Sequence, residues 1–111
     1  MTAAEFRELA LRLPEATEGT HHGVVDFRVC GKIFATLAYE KQGCGVLLLT
    51  PAQQEGMLAD APEIFSAVPN AWGRQGATLV RLAAIKPDIL EAALRTAWLR
   101  RAPKKLLDSN L

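Results

Sequence analysis

Long hydrophobic runs and cysteines are both scarce in this sequence. No stretch approaches the roughly 18 consecutive apolar residues that a membrane-spanning helix needs. The first residues also lack the basic segment and apolar run of a secretory signal. The two cysteines, Cys30 and Cys44, are too few for a disulfide framework. We therefore expect a cytoplasmic protein with free thiols.

An excess of charge of one sign is missing as well. Thirteen Lys and Arg residues oppose twelve Asp and Glu residues, which gives a formal net charge of +1. This balance does not favour the strongly basic class of nucleic-acid-binding proteins. The charges are nevertheless unevenly placed, because residues 95–105 carry five basic side chains and no acidic one. We expect an electrically polarised molecule, a property that steers charged partners.

Internal repeats, low-complexity segments and linkers are also missing, so the sequence predicts a single domain over residues 1–111. Half of the residues are hydrophobic, and a chain of this length can bury a core without disulfides or metals.

Capping signals predict the first two helices. Thr2 and Glu5 have the spacing of a capping box, and apolar residues at helical spacing follow as far as the next proline. Thr50 and Gln53 repeat the capping pattern, with a proline at the first helical position. This second helix is expected to end near residue 60, and residues 61–65 to form a further helical turn.

The last helix is expected to open at Pro87 and to end before Pro103. Its apolar stripe comprises Leu90, Ala93, Leu94, Ala97 and Trp98. The tail from Pro103 to Leu111 is expected to be loosely ordered.

Apolar residues in alternation or in short runs predict the strands, which are Val24–Val29, Ile33–Glu40, Val46–Leu49 and Ala77–Leu82. Residues 66–69 are a candidate short strand, and residues 14–23 are either a polar loop or an edge strand. The turn at Cys30-Gly31-Lys32 favours a hairpin. The order of elements predicts a two-layer α+β fold, an antiparallel β-sheet meander with helices packed on one face. Two strands are apolar on both sides, so the second face is either covered within the chain or part of an interface.

A glycine-hinged segment, Trp72 to Gly76, precedes the strand at residue 77. Gly73 and Gly76 allow backbone angles that other residues resist, so a tightly shaped loop is expected here. Trp72 either anchors this loop in the core or offers an aromatic surface to a ligand. Both interpretations are open at this point.

Catalytic and metal-binding patterns are not recognisable. His21 and His22 are adjacent and point to different sides of an extended chain, so they form either part of a metal site or a hydrogen-bonded or solvent-facing pair. The N-terminal glutamates lack the convergent loop of a cation site. No nucleophile has a recognisable base beside it. We therefore assign no catalytic residue, no metal site and no cofactor.

Basic side chains in turns and at a helix end remain as candidates. Such residues can contact phosphates, and Trp72 and His22 are expected to line the same face. The candidate nucleic-acid-binding residues are Arg28, Lys32, Arg74, Gln75, Lys104 and Lys105. The leading hypothesis is a small binding module that contacts nucleic acid weakly through phosphates. The alternative is a homo-oligomeric or small-ligand-binding protein that uses the apolar sheet face and a pocket at Trp72, without catalysis. Monomer and homodimer are both left open.

Four motifs in order resemble the MmcQ/YjbR-like family, and the resemblance extends from the first helix to Pro103-Lys104. They are Leu13-Pro14-Glu15, Phe27-Arg28-Val29-Cys30-Gly31-Lys32-Ile33-Phe34-Ala35, Leu49-Thr50-Pro51 and Trp72-Gly73-Arg74-Gln75-Gly76. The resemblance implies a double-wing α+β domain, similar to the frataxin-like (CyaY-like) architecture. It also implies DNA as a partner, since family members are commonly labelled DNA-binding by structural analogy. A frataxin-like iron role would need a dense acidic ridge, which the first helix lacks.

Overall fold

A six-stranded antiparallel sheet organises the fold, and the computed structural model describes residues 1–109. The described strands are β1 (Ala16–His21), β2 (Val24–Val29), β3 (Lys32–Thr36), β4 (Cys44–Leu48), β5 (Phe65–Ala67) and β6 (Ala77–Arg81). The described α-helices are α1 (Ala3–Leu11), α2 (Pro51–Asp60), α3 (Ala71–Arg74), α4 (Pro87–Arg101) and α5 (Lys104–Ser109). A 3₁₀ turn at Glu40–Gln42 precedes β4.

Adjacent strands pair in the order β1-β2-β3-β4-β6-β5. The first two hairpins turn on residue pairs with positive φ: His22 and Gly23 (52° and 78°), then Cys30 and Gly31 (49° and 81°). Such pairs match the right-handed twist of the strands they join. Residues 14–23 thus contain an edge strand, and the antiparallel meander predicted from the sequence is confirmed.

The main core lies between one face of the sheet and helices α1 and α4. Phe6 of α1 meets Phe27 of β2 with ring centroids 5.9 Å apart. Trp98 of α4 is 1% exposed, and its indole Nε1 donates a hydrogen bond to Pro14 O at 3.0 Å. The predicted two-layer α+β arrangement, with helices on one sheet face, is therefore confirmed.

Both predicted capping boxes form. The Thr2 hydroxyl accepts from Glu5 N and the Glu5 carboxylate accepts from Thr2 N, which lowers the pKa of Glu5 because the bonds favour its charged form. Thr50 and Gln53 make the equivalent pair at the start of α2. Local side-chain chemistry fixes these two helix starts, as expected from the sequence.

Four local expectations are wrong. The third strand ends at Thr36 instead of residue 40, because residues 38–43 form turns that reach β4. The strand β5 begins at Phe65 rather than Ser66. The segment at Trp72 is a one-turn helix, α3, rather than a loop. Residues 104–109 form α5 rather than a loose tail, and Asn110 and Leu111 lie outside the described residues.

Helix length is modest throughout the described chain. None of the helices in residues 1–109 is both long and apolar enough to span a membrane.

Candidate functional site

The sheet face opposite α1 and α4 carries a shallow cavity beside Trp72. Its volume is about 350 Å³. We call it the sheet groove, and its lining comprises His21, His22, Val24, Asp26, Ile33, Thr36, Ala38, Leu48 and Trp72. His22 and Trp72 thus border one cavity.

The groove arises because only half of this face is covered. Above β4 and β6, a small cluster packs Val46, Val68 and Ala77 with the partly buried Trp72. No equivalent cover lies above β2 and β3 in the part of the chain that the structure describes, so Val24 and Ile33 remain half-exposed at the groove. Cover within the chain therefore applies to the half of the face above β4 and β6, and the half above β2 and β3 is open.

Two close backbone contacts set the position of Trp72. A Cβ atom at Gly73 would overlap the carbonyl oxygen of Val68, and one at Gly76 would overlap that of Leu49. Gly76 also has φ +114°, a value that residues with a side chain rarely adopt. The Gln54 amide of α2 donates to the carbonyl oxygen of Gly73 at 2.9 Å. These contacts leave the backbone of the turn little room to move, and they fix the Trp72 indole at one end of the groove.

Arg28 is engaged by its neighbour on the same strand face. Its Nε donates to Asp26 Oδ1 at 2.7 Å and its Nη2 to Asp26 Oδ2 at 3.0 Å. This hydrogen bonding, followed by the attraction between the charges, raises the pKa of Arg28. Asp26 itself is 1% exposed and lines the groove. Arg28 therefore neutralises a buried carboxylate, which limits its availability to an external phosphate.

The strand register and the end of α4 place the other candidate residues toward the Trp72 end of the sheet. The strand register places the β2–β3 turn, the end of β4 and the start of β6 at this end. Lys32, Arg74 and Gln75 are exposed there. Lys104 and Lys105 open α5, directly after α4, whose end reaches Leu48 through the Arg100 Nη1 hydrogen bond to Leu48 O at 3.3 Å. His22, by contrast, lies in the β1–β2 turn at the opposite end, where its ring contacts that of His21 at 4.3 Å.

A second, smaller cavity of about 100 Å³ lies on the other side of Trp72. We call it the arginine recess, and its lining comprises Leu48, Leu49, Trp72, Gln75, Ala77, Arg100 and Arg101. Burial, and secondarily the charge of Arg101, lowers the pKa of Arg100. Sequence reasoning did not select this arginine pair. The available signal was two adjacent arginines in the acid-free segment 95–105.

Among the described residues, the cysteines and acidic side chains do not form a second candidate site. Both cysteines are free, and burial raises the pKa of the Cys44 thiol despite the opposing charge of Arg81. A thiol so shifted is a weaker nucleophile at neutral pH. Among the residues that the structure describes, no three or more His, Cys, Asp or Glu side chains are grouped to hold a metal ion.

Comparison with known proteins identifies the family. The crystal structure of the Deinococcus radiodurans protein DR2400, which carries the family-model domain DUF419, is similar with a TM-score of 0.70 and 18% sequence identity. The match covers 89% of this chain and 77% of that one, and at this identity it shows the shared fold alone. No curated protein matches the chain. The YjbR family model matches residues 11–100, so the chain belongs to the YjbR family.

Proposed function

We propose that this protein binds a small organic molecule in the sheet groove, with Trp72 as its main contact surface. The observation that carries the proposal is an open apolar cavity of about 350 Å³ on a sheet face whose other half is well covered. Ligand pockets typically enclose about 300 to 1,000 Å³ and are lined mainly by apolar side chains. The groove lies at the lower end of that range.

The groove chemistry favours a ligand with an apolar or aromatic body. Val24, Ile33 and Leu48 supply apolar surface, and Trp72 adds a ring that can stack on a planar group. The polar groups of the floor are already satisfied within the chain. Asp26 accepts from Arg28, and the Thr36 hydroxyl accepts from Ala38 N at 3.1 Å. Affinity would therefore come mainly from removing apolar surface from water.

A titration with 2-naphthol, an uncharged aromatic probe, tests the proposal by ¹H–¹⁵N NMR. We expect the indole N–H signal of Trp72 to move, while that of Trp98, hydrogen-bonded inside the core, stays in place. Ile33→Gln should weaken binding about fivefold or more, because it puts a polar amide in the groove. Ile89→Gln is the matched control, since Ile89 is an exposed isoleucine on α4.

Two results would contradict groove binding. One is a set of probe-induced shifts spread over the surface, with Ile33→Gln binding as well as the wild type. The other is a dimer in light scattering that the probe dissociates, which would assign the groove to a second copy of the chain.

The exposed positions of Lys32 and Arg74 at the same end of the sheet support a second candidate, weak contact with nucleic-acid phosphates. Binding of a labelled duplex should then weaken as the salt concentration rises. The double variant Lys32→Gln/Arg74→Gln should make the slope of log affinity against log salt concentration shallower, by the amount expected for the loss of about two phosphate contacts. Lys41→Gln/Lys86→Gln removes the same charge away from Trp72 and should leave the affinity nearly unchanged. Duplex binding that is absent at low salt, or insensitive to salt, would eliminate this function.

A further inference from the structure

The structure assigns a further role to the arginine recess: Gln75, Arg100 and Arg101 form an oxyanion site for the charged end of the groove ligand. The ligand is then an amphipathic molecule whose apolar body lies in the sheet groove and whose carboxylate or phosphate lies in the recess. This inference rests on the proposed function and specifies the chemical class of the ligand.

Uncompensated positive charge is the first observation. Arg100 and Arg101 are adjacent on the last turn of α4, and neither forms a salt bridge within the described part of the chain. The hydrogen bond from Arg100 Nη1 goes to a neutral carbonyl, Leu48 O. Arg100 is exposed and Arg101 is partly buried, and two neighbouring like charges repel each other, whereas an anion between them would attract both.

An unsatisfied donor is the second observation. Among the buried side-chain nitrogens and oxygens of the described residues, Arg101 Nε is the one without a hydrogen-bond partner. Buried polar groups in folded proteins are almost always hydrogen-bonded, so such an exception calls for a partner. This N–H is closed to solvent, so the Arg101 side chain must turn toward the recess before a carboxylate or phosphate oxygen can accept from it. Guanidinium groups bind such oxygens with the strong geometry of charge-assisted hydrogen bonds.

The pair of residues shared by the two cavities is the third observation. Leu48 and Trp72 line both the sheet groove and the arginine recess. The recess, at about 100 Å³, is large enough for an oxyanion head and too small for an organic body. The groove, at about 350 Å³ and with apolar walls, is large enough for the organic body. One ligand that passes Trp72 would therefore match both chemistries.

The position of the arginines at a helix C-terminus explains only part of this arrangement. Basic residues in the last turn interact favourably with the helix dipole. That interaction accounts for the presence of positive charge but for neither the cavity between Trp72 and the arginines nor the buried donor without a partner. An anion accounts for all of them.

Four probes test the inference by NMR: 2-naphthol, 2-naphthoate, 2-naphthyl phosphate and inorganic phosphate. We expect at least one anionic naphthyl probe to bind about tenfold or more tightly than 2-naphthol, because charge-assisted hydrogen bonds add to the same apolar contact. Which anion binds more tightly identifies the head group as carboxylate or phosphate. The Arg101 Nε–H signal should move with the anionic probes and stay in place with 2-naphthol.

The advantage of the anionic probes should disappear in Arg101→Gln and be retained in Arg95→Gln, which removes the same charge from an exposed position on α4. Arg100→Gln provides a second variant if the first does not fold.

Anionic probes that bind no better than 2-naphthol, or equally well in Arg101→Gln, would overturn the oxyanion site while leaving groove binding intact. Naphthyl anions that bind no better than inorganic phosphate would instead overturn groove binding and keep the oxyanion site. If none of the four probes binds, both proposals are wrong.

Discussion

Gly73→Ala is expected to reduce the free energy of unfolding by about 3 kcal/mol, in the upper range for an overpacked site. The added methyl group would overlap Val68 O, an atom of the backbone rather than the end of a flexible side chain. The turn cannot easily move away, because Val68 N donates to Ala77 O at 3.1 Å and Gln54 holds the carbonyl of Gly73. The strain would also displace the adjacent Trp72.

Gly56→Ala is the matched control for this substitution. Gly56 also lies in a helix, α2, but a Cβ atom there would meet nothing within 4 Å. Alanine is favoured over glycine in a helix interior by about 0.5 to 1 kcal/mol, so this variant should be slightly more stable than the wild type. Urea unfolding followed by far-ultraviolet circular dichroism measures both. Equal effects of the two substitutions would show that the turn at Trp72 tolerates a shift.

The elements that the sequence predicted well are those fixed by neighbours along the chain. A capping box needs only two residues three positions apart, which is why the starts of α1 and α2 were predicted correctly. The hairpin at Cys30-Gly31 likewise depends on two adjacent residues with positive φ. Alternation along Val24–Val29 predicted which side chains face the core.

Elements that depend on distant contacts were harder to predict. Asn70 caps α3 through a hydrogen bond from Trp72 N at 2.9 Å, but Gly73 lowers the helix propensity of that segment. Gln54, nineteen positions earlier, contributes a hydrogen bond to the carbonyl oxygen of Gly73 that supports the helical turn. The tail after Pro103 forms α5, in which Leu106 and Leu107 pack against the core cluster. Neither the Gln54 hydrogen bond nor the packing of α5 can be recognised from the residues next to it in the sequence.

The candidate site also combines features that neighbouring residues determine with features that tertiary packing determines. Alternation along β2 puts Asp26 and Arg28 on one strand face, yet their ion pair becomes evident only in three dimensions. Arg100 and Arg101 lie on a helix whose stripe was predicted correctly. Their position against Leu48, about fifty residues earlier, depends on how α4 crosses the sheet. Periodicity determines which face a residue occupies, whereas tertiary packing determines what lies opposite it.

Trp98→Ala is expected to lower the free energy of unfolding by about 4 kcal/mol, within the usual range for truncating a buried aromatic residue. Trp98 is 1% exposed, so its removal leaves a large cavity between α4 and the sheet. The substitution also leaves Pro14 O without its donor. These two losses should make Trp98→Ala among the most destabilising single substitutions in the chain.

Trp72→Ala tests whether the second tryptophan has a different role. Trp72 is only partly buried and borders two open cavities, so its truncation should cost about 1 to 2 kcal/mol, near the average for a point substitution. Unfolding of both variants is best followed by circular dichroism, because each substitution alters the fluorescence. A small cost together with loss of 2-naphthol binding would assign Trp72 to the ligand. If Trp72→Ala were as destabilising as Trp98→Ala, Trp72 would be a core residue, and the sheet groove would lose the contact surface that the proposed function requires.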